Sequence, residues 1–480
     1  MFNLHKWLVR SFFVLLIFTL GVGAATANTI IAPSSSQSPY IFRSEPGVVT
    51  KAILTVGDSV NNKPDGTPYR MVGIPDGLGA FDNYDGTFTV LMNHELNDTV
   101  GITRAHGATG AFVSKWIISK QDLTVIHGED LIQNIVTWSP SGYWNPPAKG
   151  VTMSRLCSAD LPAESAFYDS FSGLGTTERI FMNGEERGAE GRAFAHLMDG
   201  TSYELPWLGK FSWENSVAHP NPGIKTVVAG LDDSGGGQVY VYVGEKTGAA
   251  NPVEAAGLTN GVLYGIQVSG YPEEPAATGI PSGTPFTAYN FGDVAGWTGA
   301  QLELGSKANS VTGFQRPEDG AWDPSNPSDF YFLTTASFAG NSRLWRLHFN
   351  DPANPAAGGT IDMLLDGSEG QKMMDNMTIN RRGQIFIQED PGNQAYVARI
   401  WRYNIAADAL TPVAQFAPDR FQPGAQNFLT QDEESSGIID VSSILGEGWF
   451  LLDAQAHYST DTELVEGGQL LALHYPPGRK

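Results

Sequence analysis

Apolar side chains recur at every second position in many short runs, the pattern of β-strands, and glycine and proline punctuate the gaps between them. Six runs share a further trait: each is rich in aliphatic or aromatic residues and most finish in polar or acidic ones. They cover 88–95, 179–186, 238–244, 329–335, 384–390 and 449–457. A second alternating run follows most of them, at 113–119, 262–268, 343–347, 399–403 and 469–473. Repeated strand pairs of this kind predict an all-β fold, a β-propeller of about six blades. At roughly 40–50 residues per blade, the ring uses only part of the chain, and the remainder is expected as loop and short-helix insertions on one face. The competing architecture is a β-sandwich or a pair of β domains. The six runs are expected to line a central channel and to bring Asn93, Glu95, Glu185, Glu186, Glu389, Asp390, Asp453 and His457 to one mouth of it.

Composition narrows the function classes. The 480 residues carry 29 Lys and Arg against 51 Asp and Glu, a formal charge of −22. Such a surface lacks the basic patch that nucleic acid or anionic membranes require, so neither is an expected partner. It suits divalent cations, which take clusters of oxygen ligands. A single cysteine, Cys157, excludes a disulfide framework and any Cys-rich zinc site. With 55 Gly and 29 Pro the chain is turn-rich, as a many-stranded fold requires.

The N-terminus reads as a targeting segment. Lys6 and Arg10 precede an apolar stretch at 12–20, and Ala25-Thr26-Ala27 supplies a small-residue cleavage site, which together predict a secretory signal peptide over 1–27. The apolar stretch is shorter than the ~18 residues a membrane span needs. A single propeller domain is expected over 28–480, periplasmic or secreted, without a stable membrane anchor and monomeric. Loss of Lys6 and Arg10 moves the formal charge from −22 to −24.

Three groups of residues suggest chemistry. Cys157 is a free thiol headed for an oxidising compartment, a liability unless a metal binds it as thiolate, which suits iron or zinc. Glu185-Glu186 and Trp213-Glu214 place carboxylates beside small or aromatic residues, where burial demands a cation or several donors. Arg316-Pro317-Glu318 sets a guanidinium, able to bind two phosphate oxygens, two residues from a potential metal ligand.

In these elements the sequence resembles the PhoX-type alkaline phosphatases, exported calcium- and iron-dependent propeller phosphatases. The matching elements are Asn93-His94-Glu95, Cys157 followed by Gly173-Leu174-Gly175-Thr176 and Glu185-Glu186, the stretch 210–214, Arg316-Pro317-Glu318, and the closing 448–457. They stand in family order. The resemblance implies that Cys157 and Glu214 bind iron (Fe3+), with Glu214 shared with calcium (Ca2+). It implies that Asn93, Glu185 or Glu186, and Glu318 supply calcium ligands, and that Arg316 contacts substrate phosphate. Arg316 and Glu214 are thereby the expected catalytic groups. The chain departs from the family where His-Glu is Trp213-Glu214, where Thr-Cys-Glu-Glu is Asn183-Gly184-Glu185-Glu186, and in having no twin-arginine pair in its leader.

The function expected is therefore an exported hydrolase acting on small phosphate monoesters through a calcium and iron cluster. Two other readings of the residues stay open. One is another calcium-dependent propeller hydrolase of the phytase or lactonase type. The other is a non-catalytic, calcium-stabilised binding propeller.

Overall fold

The computed structural model describes residues 30–478, so the targeting segment over 1–27 lies outside the described residues. Six innermost strands form the hub: Pro75–Asp82, Leu156–Asp160, Trp213–Ala218, Pro317–Trp322, Met374–Ile379 and Glu433–Asp440. Each packs against the next, and the last packs back on the first, so the ring of six blades closes. Each innermost strand pairs antiparallel with the second strand of its blade: Thr87–His94, Ile180–Glu185, Lys225–Asp232, Asp329–Thr334, Gln384–Glu389 and Trp449–Ser459. The hydrophobic runs found in the sequence are therefore second strands, and 238–244 belongs to a third strand, Gly235–Glu245. None of them is the innermost strand they were expected to be. The reason is packing. A second strand is covered by neighbouring blades on both faces and reads as continuously apolar, whereas an innermost strand borders the channel and is rich in polar residues.

The core is divided the same way, with one apolar cluster in each gap between blades. Side chains alternate between gaps with the strand period of two. Phe181 faces the blade before it and Met182 the blade after. Phe330 and Phe332 point one way, Tyr331 and Leu333 the other. Phe450 and Leu452 likewise part from Leu451.

Ring closure is left to the N-terminal segment. Ile41–Arg43 adds an outer strand to the fifth blade by pairing with Ala409–Phe416, and Val49–Thr55 adds one to the sixth by pairing with Glu466–His474. The outer edges of blades three and four also join, through Thr284–Gly292 and Gly359–Leu365. No helix among the described residues is long and apolar enough to cross a membrane.

One backbone feature decides where the site forms. In five of six blades the pairing of first and second strands slips at the first residues of the innermost strand, between Pro75 and Leu78, Leu156 and Ala159, Trp213 and Ser216, Pro317 and Gly320, and Met374 and Met377. The sixth slips slightly later, between Ser436 and Ile439. A bulge re-aims the side chains around it. In those five blades it falls on the second and third residues of the innermost strand.

Candidate metal centre

The second residues of the six innermost strands are Asp76, Cys157, Glu214, Glu318, Asp375 and Glu434, one from each blade. They form an inner ring at one mouth of the channel. A second set sits where the second strands end: Glu95, Glu186, Asp233, Asp390 and His457. Apart from the more deeply set Asp76, these groups line one cavity of about 360 Å3, together with Arg155 and Arg316.

Two groups of three are close enough to share a cation. The ligand atoms of Asp76, Glu95 and Cys157 lie within 4.8 Å of one another, and so do those of Glu214, Glu318 and Asp375. Burial first, then Glu434 and Glu95, pushes the Asp76 carboxyl well above the usual carboxylate range. Burial and then Asp233 do the same to Glu318, burial and then Glu214 to Asp375, and burial and then Glu186 to Glu214. Burial followed by Glu95 lifts Glu186 to about 7, and burial followed by Glu434 lifts Asp390 to about 7. The Cys157 thiol is raised by burial and by Glu214. Like charges crowded out of water must either take up protons or share cations.

The donor set fits cations. Asp76 Oδ1 and Glu318 Oε1 are buried and accept no hydrogen bond. The all-oxygen triad suits a hard cation, and the triad containing the only thiol suits a softer transition metal. Cys157 Sγ lies 3.5 Å from Glu186 Oε2. Ser158 Oγ donates to Glu214 Oε1 at 2.6 Å and fixes that carboxylate between blades. Below the ring, Asp319 accepts from Asn215 Nδ2 at 2.6 Å and from the Met377 amide at 2.9 Å, which ties three innermost strands together.

The mouth carries three cationic groups. Arg316 donates from Nε and Nη2 to both oxygens of Asp233, at 2.7 and 2.8 Å, and Nη2 lies 3.1 Å from Glu318 Oε1. Arg155 donates to Glu186 and reaches Glu95 Oε1 at 2.7 Å. Burial opposes charge on His457, but hydrogen bonds to Glu434 and Glu466 override it and raise its pKa to about 11.

Of the residues expected from sequence, Cys157, Glu186, Glu214, Glu318 and Arg316 come together here, as do Glu95, Asp390 and His457. Asn93 and Glu185 do not. Asn93 is fully buried, donates to the Cys157 carbonyl at 2.6 Å and accepts from Asn183 at 2.8 Å, so its amide braces the cysteine strand. Glu185 points to the other side of its strand, where it takes both Nε and Nη2 of Arg192 at 2.7 Å and the Ser154 amide at 3.0 Å. Adjacent residues on a strand face opposite ways, so only one of Glu185 and Glu186 can reach the mouth. Glu389 is consumed by Trp401 and Tyr396. Asp453 is fully buried within the sixth blade, with neither carboxylate oxygen hydrogen-bonded.

Sequence reading missed Asp76, Asp375, Glu434, Asp233 and Arg155. A signal existed. Every inner-ring residue is followed by a small or polar one, as in Asp76-Gly77, Cys157-Ser158, Glu214-Asn215, Glu318-Asp319, Asp375-Asn376 and Glu434-Ser435, and each pair precedes the apolar run of its blade.

No protein-family model and no curated protein matches the chain. Among solved structures it is similar to PhoX of Pseudomonas fluorescens in complex with vanadate, a transition-state analogue. The TM-score is 0.62 at 12% identity, over 92% of this chain and 97% of that one. Trypanosoma rangeli sialidase with the inhibitor DANA aligns at a TM-score of 0.37 and 10% identity, over 90% of this chain and 60% of that one. The first likeness establishes a shared propeller fold along nearly the whole of both chains.

Proposed function

We propose that the chain is an exported, metal-dependent phosphatase that hydrolyses small phosphate monoesters at this mouth, with calcium and iron as its ions. The observation that carries the reading is the pairing of a thiol-containing triad with an all-oxygen triad, set under an arginine held by two carboxylates. The fold shared with PhoX and the order of the matching sequence elements support it. The triad of Asp76, Glu95 and Cys157 is assigned to iron, and that of Glu214, Glu318 and Asp375 to calcium, on donor chemistry. Ions bound there would supply Lewis-acid stabilisation of phosphoryl oxygens and an activated water.

The chain's own groups do the rest. Arg316 holds its guanidinium at the rim against Asp233 and offers planar donors to two equatorial oxygens of the phosphoryl group, where charge spreads in the transition state. Glu214 is fixed by Ser158 and stays oriented toward the all-oxygen triad. The carboxylates of the mouth repel an anionic ester at long range, so affinity depends on bound cations reversing that field. A monomer acting on a small soluble ester outside the cytoplasm completes the reading.

The test is hydrolysis of p-nitrophenyl phosphate by purified protein, with calcium and iron content measured in the same preparation. Turnover that tracks metal content supports the proposal. A fully metallated protein that leaves the ester intact would refute it.

A further inference from the structure

The mouth holds a second arginine in the same structural position as the first. Arg316 and Arg155 each stand two residues before an inner-ring residue, as Arg316-Pro317-Glu318 and Arg155-Leu156-Cys157. Both have a left-handed backbone, with φ of +63° and +47°. L side chains rarely adopt that conformation. The pivot belongs to the fold, because Ile74 and Met373, at the same position in blades one and five, also have positive φ, of +48° and +41°. What differs is the side chain placed on the pivot. Blades one and five carry an apolar group, and blades two and four carry a guanidinium.

The two arginines are also held alike. Arg316 commits Nε and Nη2 to Asp233 and leans Nη2 on Glu318. Arg155 commits Nε and Nη2 to Glu186 and leans Nη2 on Glu95. In both cases Nη1 makes no hydrogen bond among the described residues, leaving two N–H donors free on each. Both side chains remain open to the cavity, 40% exposed for Arg155 and 35% for Arg316. Blade three lies between them and presents Glu214, whose carboxylate takes a hydrogen bond from Ser158 beside Cys157 and sits within 4.8 Å of Glu318. Arg316 is thus one carboxylate removed from Glu214, through Glu318, and Arg155 stands on the blade at the other side of it.

We infer that Arg155 is a second substrate-binding residue, which clamps the same phosphoryl group that Arg316 binds, from the opposite side. The inference rests on the phosphatase reading and deepens it. A phosphoryl group has three equatorial oxygens, and the free Nη1 of Arg316 alone cannot serve them all. A second guanidinium with free donors serves the rest. An arginine that only braced Glu95 and Glu186 would have no use for exposed, unpaired donors in a cavity whose only other cationic groups are Arg316 and His457.

The experiment measures inorganic phosphate binding by calorimetry, and its competition with p-nitrophenyl phosphate. The proteins are the metal-loaded wild type and the Arg155→Gln, Arg155→Lys and Arg316→Gln variants, each with its metal content. Arg155→Gln should weaken phosphate at least tenfold at unchanged metal content and raise KM more than it lowers kcat. Arg155→Lys should keep the brace through its charge yet still bind phosphate several-fold more weakly, since an ammonium lacks the planar fork. If Arg155→Gln loses metal, Arg155→Lys decides. Phosphate affinity within twofold of wild type in a metal-replete Arg155 variant, with Arg316→Gln weakened, overturns the role of Arg155 and spares the phosphatase reading. A metal-loaded wild type that binds no phosphate and cleaves no ester overturns both.

Discussion

Asp375→Asn replaces a half-buried carboxylate by an amide of nearly the same shape, and the sign of its effect on stability depends on whether a cation is bound. The Asp375 ligand oxygen lies within 4.8 Å of those of Glu214 and Glu318. At an effective dielectric constant of 20, each ionised pair at that distance costs about 3.5 kcal/mol, so Asp375 facing both carries about 7 kcal/mol. Taking up a proton costs less, about 1.4 kcal/mol for each pH unit above the free carboxyl pKa. Burial, and after it Glu214, hold the Asp375 carboxyl well above the usual range. The metal-free folded chain therefore keeps a proton that the unfolded chain has released. That stability is complete below the unfolded pKa and drains away as pH rises toward the folded one. Wild type loses up to about 1.4 kcal/mol per pH unit that the amide variant does not lose, so the variant gains on wild type between pH 6 and pH 8 in chelator, by at most about 3 kcal/mol. In saturating calcium the order inverts, because the cation stabilises wild type by its binding free energy and the variant lacks an anionic ligand. Urea unfolding followed by tryptophan fluorescence, at pH 6, 7 and 8 with chelator and with calcium, reads both signs. A stability difference that is the same in chelator and calcium, or flat with pH in chelator, would refute the reasoning.

Three further predictions follow from particular contacts. Glu214→Gln should abolish turnover and lower metal content, whereas Glu185→Gln should leave metal content intact and cost about 1–3 kcal/mol, by weakening charge-assisted bonds to Arg192; equal metal loss in both variants would erase the distinction between the two faces of that strand. Glu274→Gln strips the carboxylate from Arg343, which is 1% exposed, and should lower unfolding stability by about 3–5 kcal/mol while turnover per metal-loaded molecule stays unchanged. Gly184→Ala would put a Cβ 2.4 Å from the Trp213 Cβ and should cost about 1–3 kcal/mol, a penalty that shrinks when Trp213 is also changed to Gly, which removes the clashing Cβ and ring; additive losses in the double variant would show that the two sites do not touch.

The strand runs were legible because blade packing writes itself into sequence as apolar alternation. The innermost strands were not, since their side chains border the channel and obey no hydrophobic period. Asp76, Asp375 and Glu434 therefore escaped notice, each looking like an ordinary polar residue before an apolar run. The distinction between Glu185 and Glu186 was equally hidden, because sequence does not give the face of a strand until its register is known. Arg155 was invisible for a third reason. What brings it to the mouth is a left-handed backbone at a bulge, and no residue type marks that conformation when the fold enforces it on Ile74, Arg155, Arg316 and Met373 alike.

The two departures from the PhoX-type pattern nearest the candidate metal centre fall on residues that touch each other. Where that pattern has His before the inner-ring glutamate, this chain has Trp213, and where it has Cys before the paired glutamates, this chain has Gly184. Trp213 is 1% exposed and stacks on Phe211 with ring centroids 3.9 Å apart. Its Cβ and ring occupy the space that any side chain at 184 would need, with the indole edge pressed against Gly230 as well. Gly184 thus lets the Trp213 side chain lie directly against its backbone, across adjacent innermost and second strands. That close approach packs together the two strands that carry Glu186 and Glu214 to the mouth. The ring next to Glu214 is a buried indole, with Trp213 Nε1 left without a hydrogen bond. An indole there cannot titrate, so the position before Glu214 adds no charge of its own to the carboxylates of the mouth.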